Sequence, residues 1–212
     1  MVPMSDHTTR AHWDHIFATR SEHERSWTQD APTPSLERIA RCAHDLAAPI
    51  IDIGGGASRL VDHLVQAGHT DVTVLDIAPA ALREGAARLG DHAGVQWVST
   101  DLLEWQPPRT YGVWHDRAVF HFLTDEADQA RYAALAREAV ALGGHLVMAT
   151  FAPDGPTACS GLAVQRWSAD QLAHHFANGF EVVEHASLVH RTPGGADQSF
   201  TWVTLRRSSA RP

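Results

Sequence analysis

Lysine is missing from all 212 residues; every one of the 17 lysine-or-arginine positions is arginine. Against 25 acids this leaves a formal net charge of −8 with histidine neutral. A nucleic acid or an anionic membrane surface wants a basic face, so neither is expected as a partner. Abundant alanine, arginine and histidine beside absent lysine reads as a codon bias. Cysteine is nearly absent too. Cys42 and Cys159 form no CxxC pair and no disulfide framework. No apolar run approaches the roughly 18 residues of a membrane span. Positions 1–14 are polar and hold no signal-peptide core, so a cytoplasmic protein with reduced thiols is expected. No Gly-Lys-Ser/Thr follows the glycines, which excludes a P-loop. The 15 histidines include His12 and His15 at helical spacing and the adjacent His174 and His175, but no HExxH-type spacing. No metal site is expected.

What is present is organised around Ile50-Ile51-Asp52-Ile53-Gly54-Gly55-Gly56-Ala57-Ser58-Arg59-Leu60. Three isoleucines predict a short buried strand. Asp52 is a charge inside that apolar run and needs a partner or a task. Three glycines remove every Cβ at the turn, so a ligand can approach the backbone. A helix then opens. Upstream, the spacing of Trp13, Ile16 and Phe17 predicts a helix over 9–19. Ser35 after Pro34 predicts the cap of another over 35–46. Downstream, further helices are expected over 59–67, 79–89, 125–142 and 169–176. Leu123, Tyr132, Leu135, Ala139 and Leu142 are expected to face inward, and Gly143-Gly144 to close their helix. Strands are expected over 72–76, 95–98, 111–116, 145–151, 180–188 and 199–205, the last two joined at Pro193-Gly194-Gly195. The alternation predicts one α/β domain: a doubly wound, mostly parallel seven-stranded sheet with a C-terminal antiparallel hairpin and helices on both faces. Residues 1–48 read as an N-terminal helical lid region, 49–207 as the core and 208–212 as a flexible tail.

In such sheets ligands bind beyond the carboxyl ends of the strands, at the switch point. The glycine turn, Asp76, Asp101 and Asp116 converge there. Asp76 ends the second strand, 20 residues after Gly56, where an acid can take both hydroxyls of a ribose. NADP is therefore disfavoured. NAD needs a third glycine for close helix packing, and Arg59 stands in its place.

These residues resemble the class I S-adenosylmethionine-dependent methyltransferases. That family's first motif reads Asp-x-Gly-x-Gly-x-Ser/Thr-x-Leu. Asp52, Gly54, Gly56, Ser58 and Leu60 match it position by position. The resemblance continues through Asp76, through Asp101-Leu102 and through the final hairpin. It implies S-adenosyl-L-methionine as cofactor. The implied cofactor-binding residues are Asp52, Gly54, Gly55, Gly56, Ser58, Asp76, Ile77, Asp101, Leu102 and, from the lid, Trp27. Trp13 joins Trp27 in that lid, where aromatic rings can stabilise a sulfonium.

Methyl transfer is an in-line displacement at an already activated carbon, so a base is optional. The candidate catalytic stretch runs from Trp114 to Phe122, with Asp116, His121 and His115 as its titratable groups. His121 is placed to take a proton from an amine or thiol. Asp116 is placed to orient an amine, or else to pair with Arg117. Thiopurine- and thiol-type methyltransferases show a similar Asp-Arg step, and so do some protein-lysine enzymes. Ala118, Val119 and His121 depart from the lysine pattern. The expected acceptor is a small-molecule nucleophile (S, N or O), the alternative a protein amine. An NAD-dependent oxidoreductase and a non-catalytic binding module are more distant readings. The loop over 152–166, with Cys159 and Arg166, is expected to shape acceptor choice.

Overall fold

The computed structural model describes residues 6–209, with side chains from Thr9 onward. Six helices and nine strands follow in chain order. They are α1 (Asp6–Thr19), α2 (Thr33–Cys42), β1 (Ile50–Ile53), α3 (Leu60–Gln66), β2 (Val72–Asp76), α4 (Pro79–Leu89) and β3 (Val95–Ser99), then β4 (Tyr111–Arg117) and α5 (Glu126–Ala139). The rest are β5 (Val140–Phe151), β6 (Ala158–Cys159), β7 (Leu162–Ala163), α6 (Ala169–His175), β8 (Phe180–Arg191) and β9 (Asp197–Arg207). Seven strands form one sheet in the order β3-β2-β1-β4-β5-β9-β8. The first five are mutually parallel, while β9 runs antiparallel to β5 and to β8. The expected seven-stranded α/β sheet with its closing hairpin is therefore the observed one. The chain winds outward from β1 to β3 and returns to β4 on the other side of β1. That reversal puts the switch point between β1 and β4.

Two apolar clusters fill the two faces. One holds Ile51, Ile53 and Trp114 under Tyr132 and Leu135 of α5 and Leu172 of α6. The other holds Ile50, Val113 and Val147 under Ile39 of α2 and Leu60 and Leu64 of α3. Successive strand residues point to opposite faces. Asp52, His115 and Arg117 thus share the side of α2, while Asp116 shares the side of α5. This period of two decides most of the site chemistry.

Several element boundaries differ from the sequence expectation. α2 starts earlier, because Pro34 fits its first turn, and ends at Cys42. Ser35 is inside that helix rather than capping it. α5 ends at Ala139, and Val140 already pairs with Tyr111 as the first residue of β5. Gly143-Gly144 therefore lies within the strand at a shift of register. A Cβ on Gly144 would stand 2.8 Å from the Gly112 carbonyl and 2.9 Å from that of Ala141, and Gly143 has φ +80°. The glycines let β4 and β5 close up, and Leu142 is 73% exposed instead of inward. The 152–166 loop contains the β6–β7 hairpin. Ser160 and Gly161 have φ +50° and +81°, the two positive values of a tight hairpin turn. The predicted tail lies, from residue 210 on, outside the described residues.

Candidate cofactor and acceptor site

The glycine turn leaves β1 at the switch point. Gly54 and Gly56 have φ +65° and +43°, and Gly54 N–H donates to the Leu75 carbonyl (2.7 Å). Side chains there would collide with what lies around them. A Cβ on Gly55 would stand 2.4 Å from Asp52 Oδ2, and one on Gly56 2.8 Å from Asp76 Oδ2. Asp52 and Asp76 thus bracket the turn. Ser58 Oγ accepts from Leu60 N–H at the start of α3 (3.1 Å).

Asp76 is buried at the end of β2, and Ala78 N–H donates to its Oδ1 (2.8 Å). Burial pushes its carboxyl up to about 7, only partly offset by that hydrogen bond. Ile77 follows, half-buried. Beyond β3, Leu103 N–H donates to Asp101 Oδ1 (2.7 Å), and Leu102 is buried in the core. The carboxyl ends of three adjacent strands therefore carry Asp52 with the glycines, Asp76, and Asp101. A buried, proton-sharing acid beside a Cβ-free turn suits a ribose diol. The glycine turn suits an amino-acid end that is read by backbone groups. The residues present fit S-adenosylmethionine.

The N-terminal segment lies across this edge. Asp14 of α1 accepts from Ala80 N–H at the start of α4 (3.2 Å). Arg25 forms a two-pronged pair with Glu84 (2.8 Å each), and Arg59 another with Glu22 (2.9 and 3.0 Å). Arg59, the residue in place of a third glycine, thus ties the turn to the segment above it. Trp13 packs edge-on against Trp27 and Phe122, at 5.8 and 5.3 Å between ring centroids. A pocket opens beneath, lined by Trp27, Gln29, Ser35, Asp52, Gly54, Gly55, His115 and Arg117 among others.

His115 is fully enclosed. Its Nδ1 faces Asp52 Oδ1 (2.7 Å), and its Nε2 faces Ser35 Oγ (2.9 Å). A carboxylate only accepts, so Nδ1–H donates to Asp52, and the Ser35 hydroxyl closes the Nε2 side of the ring. Ser35 and His115 are therefore the partners that the lone acid in β1 requires. Sequence spacing did not single out Ser35 for this, because the two residues lie 80 positions apart.

Asp116 faces the other way. Its oxygens accept from Val119 N–H (2.9 Å), Phe120 N–H (3.1 Å) and the Tyr132 hydroxyl (2.6 Å). Burial pushes the group up to about 6, against the pull of the Tyr132 hydroxyl. These bonds brace Ala118, which holds a left-handed φ of +75°. A bend of that kind is uncommon for a residue with a side chain and needs such support. It sets Val119 against Gly54, where a Cβ would meet Val119 Cγ2 at 2.2 Å. Asp116 does not pair with Arg117, because consecutive strand residues point to opposite faces.

His121 is fully buried in a single 3-10 turn (Phe120–Phe122). Phe151 N–H donates to its Nδ1 (3.3 Å), which leaves the ring proton on Nε2. Burial, reinforced by the Arg117 charge, pushes its pKa down to about 3. The ring is neutral at physiological pH and presents a donor. Burial raises both thiols, Cys42 to about 11. Neither has the environment of a reactive thiolate.

A family model described as Methyltransferase domain matches residues 51–146. No curated protein matches the chain. Among solved structures, the chain is similar to the 1,6-didemethyltoxoflavin-N1-methyltransferase of Burkholderia thailandensis, bound to 1,6-didemethyltoxoflavin and S-adenosylhomocysteine. The TM-score is 0.75 at 20% identity, over 99% of this chain and 93% of that one. It is also similar to the N-methyltransferase NodS of Bradyrhizobium japonicum with S-adenosylhomocysteine, at TM-score 0.71 and 18% identity, over 95% and 99% of the two chains. A protein that converts a disulfide into a thioacetal in echinomycin biosynthesis gives TM-score 0.73 at 20% identity, over 94% and 93%. Residues 51–146 match a methyltransferase domain, and the fold around them is that of solved S-adenosylmethionine-dependent methyltransferases.

Proposed function

We propose that this methyltransferase moves the methyl group of S-adenosylmethionine to a small-molecule nucleophile. The observation that carries the reading is the row of acids at three strand ends beside a turn with no room for a Cβ. In this reading Asp76 takes the ribose, Asp101 and Leu102 border the adenine, and Ile77 lies between. Gly54, Gly55, Gly56 and Ser58 receive the amino-acid end by backbone and hydroxyl groups, and Asp52 faces its ammonium. Residues up to 48 act as a lid, with Trp27 over the reacting centre. The similar structure of a 1,6-didemethyltoxoflavin-N1-methyltransferase supports a small acceptor by analogy of fold.

The cofactor, when bound, supplies a methyl carbon activated by its sulfonium. The chain has to orient the acceptor and exclude water. Asp116 does this indirectly, by fixing the bend that carries Val119 to the glycine turn. His115 acts through Asp52. His121, neutral with Nε2 protonated, acts as a hydrogen-bond donor rather than as a base.

Two experiments test the proposal. In calorimetric titration, S-adenosylhomocysteine should bind and NAD should give no heat; the reverse would overturn it. Incubation with methyl-labelled cofactor and a panel of thiols, amines and hydroxyl compounds, beside whole-cell lysate, should label small molecules. Label confined to lysate protein would contradict the choice of acceptor.

A further inference from the structure

Five half-buried or buried arginines of this chain meet a carboxylate. Arg25 meets Glu84, Arg38 Glu184, Arg59 Glu22, Arg88 Asp62 and Arg109 Asp71. Arg117 has no such partner among the described residues. Its Nη1 donates to the Trp27 carbonyl (2.9 Å), and its Nη2 is shielded from solvent with no hydrogen-bond partner. The guanidinium lies over the Phe200 ring of β9, 5.2 Å from its centroid. It lines the pocket beside Gly54 and Trp27. Its charge is felt by His121, by His190 of β8 and by Cys159 of the β6–β7 hairpin. The one acid that acts on it from within the pocket, Asp52, is already engaged by His115.

A fixed cation with a donor left over, whose electrostatic neighbours are two histidines of lowered pKa and a thiol of raised pKa, is costly unless an anion completes it. Three features place that anion on the acceptor's side. The bend at Ala118 leads from Arg117 over the glycine turn. The ring beneath the guanidinium belongs to the strand that pairs with β5. The loop next to it is the one after β5, at the edge where substrates differ. A planar guanidinium with an open N–H favours a carboxylate or an ionised oxygen or sulfur. It repels an ammonium.

We propose that Arg117 receives an anionic acceptor, one that carries a carboxylate on or beside its nucleophile or that is itself an ionised hydroxyl or thiol. The inference rests on the methyl-transfer reading and narrows it to acceptors that bear a negative charge.

The test uses the full chain with S-adenosylhomocysteine bound, and benzoate and benzamide as probes of like shape and unlike charge. Benzoate should bind the complex about tenfold or more tighter than benzamide, the preference expected of one charge-assisted hydrogen bond. Arg117→Met should remove that preference, and Arg117→Lys should keep part of it. Equal binding of the two probes to the wild-type complex would overturn the proposal, whether or not either variant folds. So would a preference that survives in Arg117→Met. S-adenosylhomocysteine and 5′-methylthioadenosine, which lacks the amino-acid end, should bind Arg117→Met as they bind wild type. Weakening of S-adenosylhomocysteine alone would assign the guanidinium to the cofactor's carboxylate and sink the proposal. If S-adenosylhomocysteine fails to bind wild type, it is the methyltransferase reading itself that falls.

Discussion

The edge formed by β1, β2 and β3 and the exit of β4 use the same kinds of residue for opposite ends. At the first, acids sit where strands end and turns begin, and glycines keep side chains out of the way. Asp76 is held by the backbone N–H groups of Ala78 and Ile77 and takes no side-chain donor among the described residues, so acceptor capacity remains for a ligand. At the second, the acid is fully used. Asp116 has three donors from its own chain and braces a strained bend. An acid with lone pairs to spare is available to bind, and one without them holds the fold. The histidines divide in the same way. His115 positions Asp52, while His121 is locked into one tautomer by Phe151.

This contrast can be broken by substitution. The largest effect is expected at Asp116. Asp116→Ala strands three buried donors, which costs about 3–5 kcal/mol by analogy with a broken buried pair. In a chain of this size that is a fall in melting temperature of roughly 6–20 °C. The affinity of the folded fraction for S-adenosylhomocysteine should change little. A variant that melts normally but no longer methylates would move Asp116 into the chemistry. At the other edge the pattern should invert. Asp76→Ala should leave the melting temperature of the free protein nearly unchanged or raise it. It should weaken S-adenosylhomocysteine by about 1.5–3 kcal/mol.

The same acids predict a pH dependence. The folded chain holds the protons of Asp76 and Asp116 up to about 7 and about 6. The unfolded chain releases them near 4. The stability they contribute is complete below about pH 4 and is lost as pH rises through their folded values. The stability of the free wild type relative to Asp76→Asn should therefore be smaller at pH 7.5 than at pH 5, read as the difference between their melting temperatures. A ribose diol prefers the ionised Asp76, so cofactor affinity should rise over the same interval, by about tenfold per pH unit at most. Asp76→Asn should flatten that rise, and calorimetry at several pH values would read it.

A smaller effect is expected where the two regions meet. Ser35→Ala removes one hydrogen bond to His115 and leaves Asp52 its nearer partner. It should cost about 1 kcal/mol in cofactor affinity or stability, with the Michaelis constant for the cofactor moving more than the turnover number. His115→Asn keeps a donor toward Asp52 and should preserve more affinity than His115→Leu. Equal losses in the two variants would mean that packing alone matters there.

The fold was legible in the sequence because strand composition, glycine turns and helix stops are local signals. Ile50–Leu60 and Asp76 announced themselves by spacing. Residues whose role comes from facing were not legible. Nothing local says that Ser35 reaches His115 across 80 positions, or that Tyr132 takes the second oxygen of Asp116. The neighbours Asp116 and Arg117 looked like a pair, and only their place within β4, one toward each face, separates them. The boundaries at Ala139 and Gly143-Gly144 were misplaced for a related reason. A glycine pair reads as a helix stop, but here it is required by the close approach of β4.

The central interaction is the binding of an adenosine with a free ribose by the acids of the first edge. The direct measurement is calorimetric titration of S-adenosylhomocysteine into wild type and into Asp76→Ala. Saturable binding to wild type is expected, with a Kd raised roughly tenfold to a hundredfold in the variant. No heat with wild type, or the same Kd in both proteins, would contradict it.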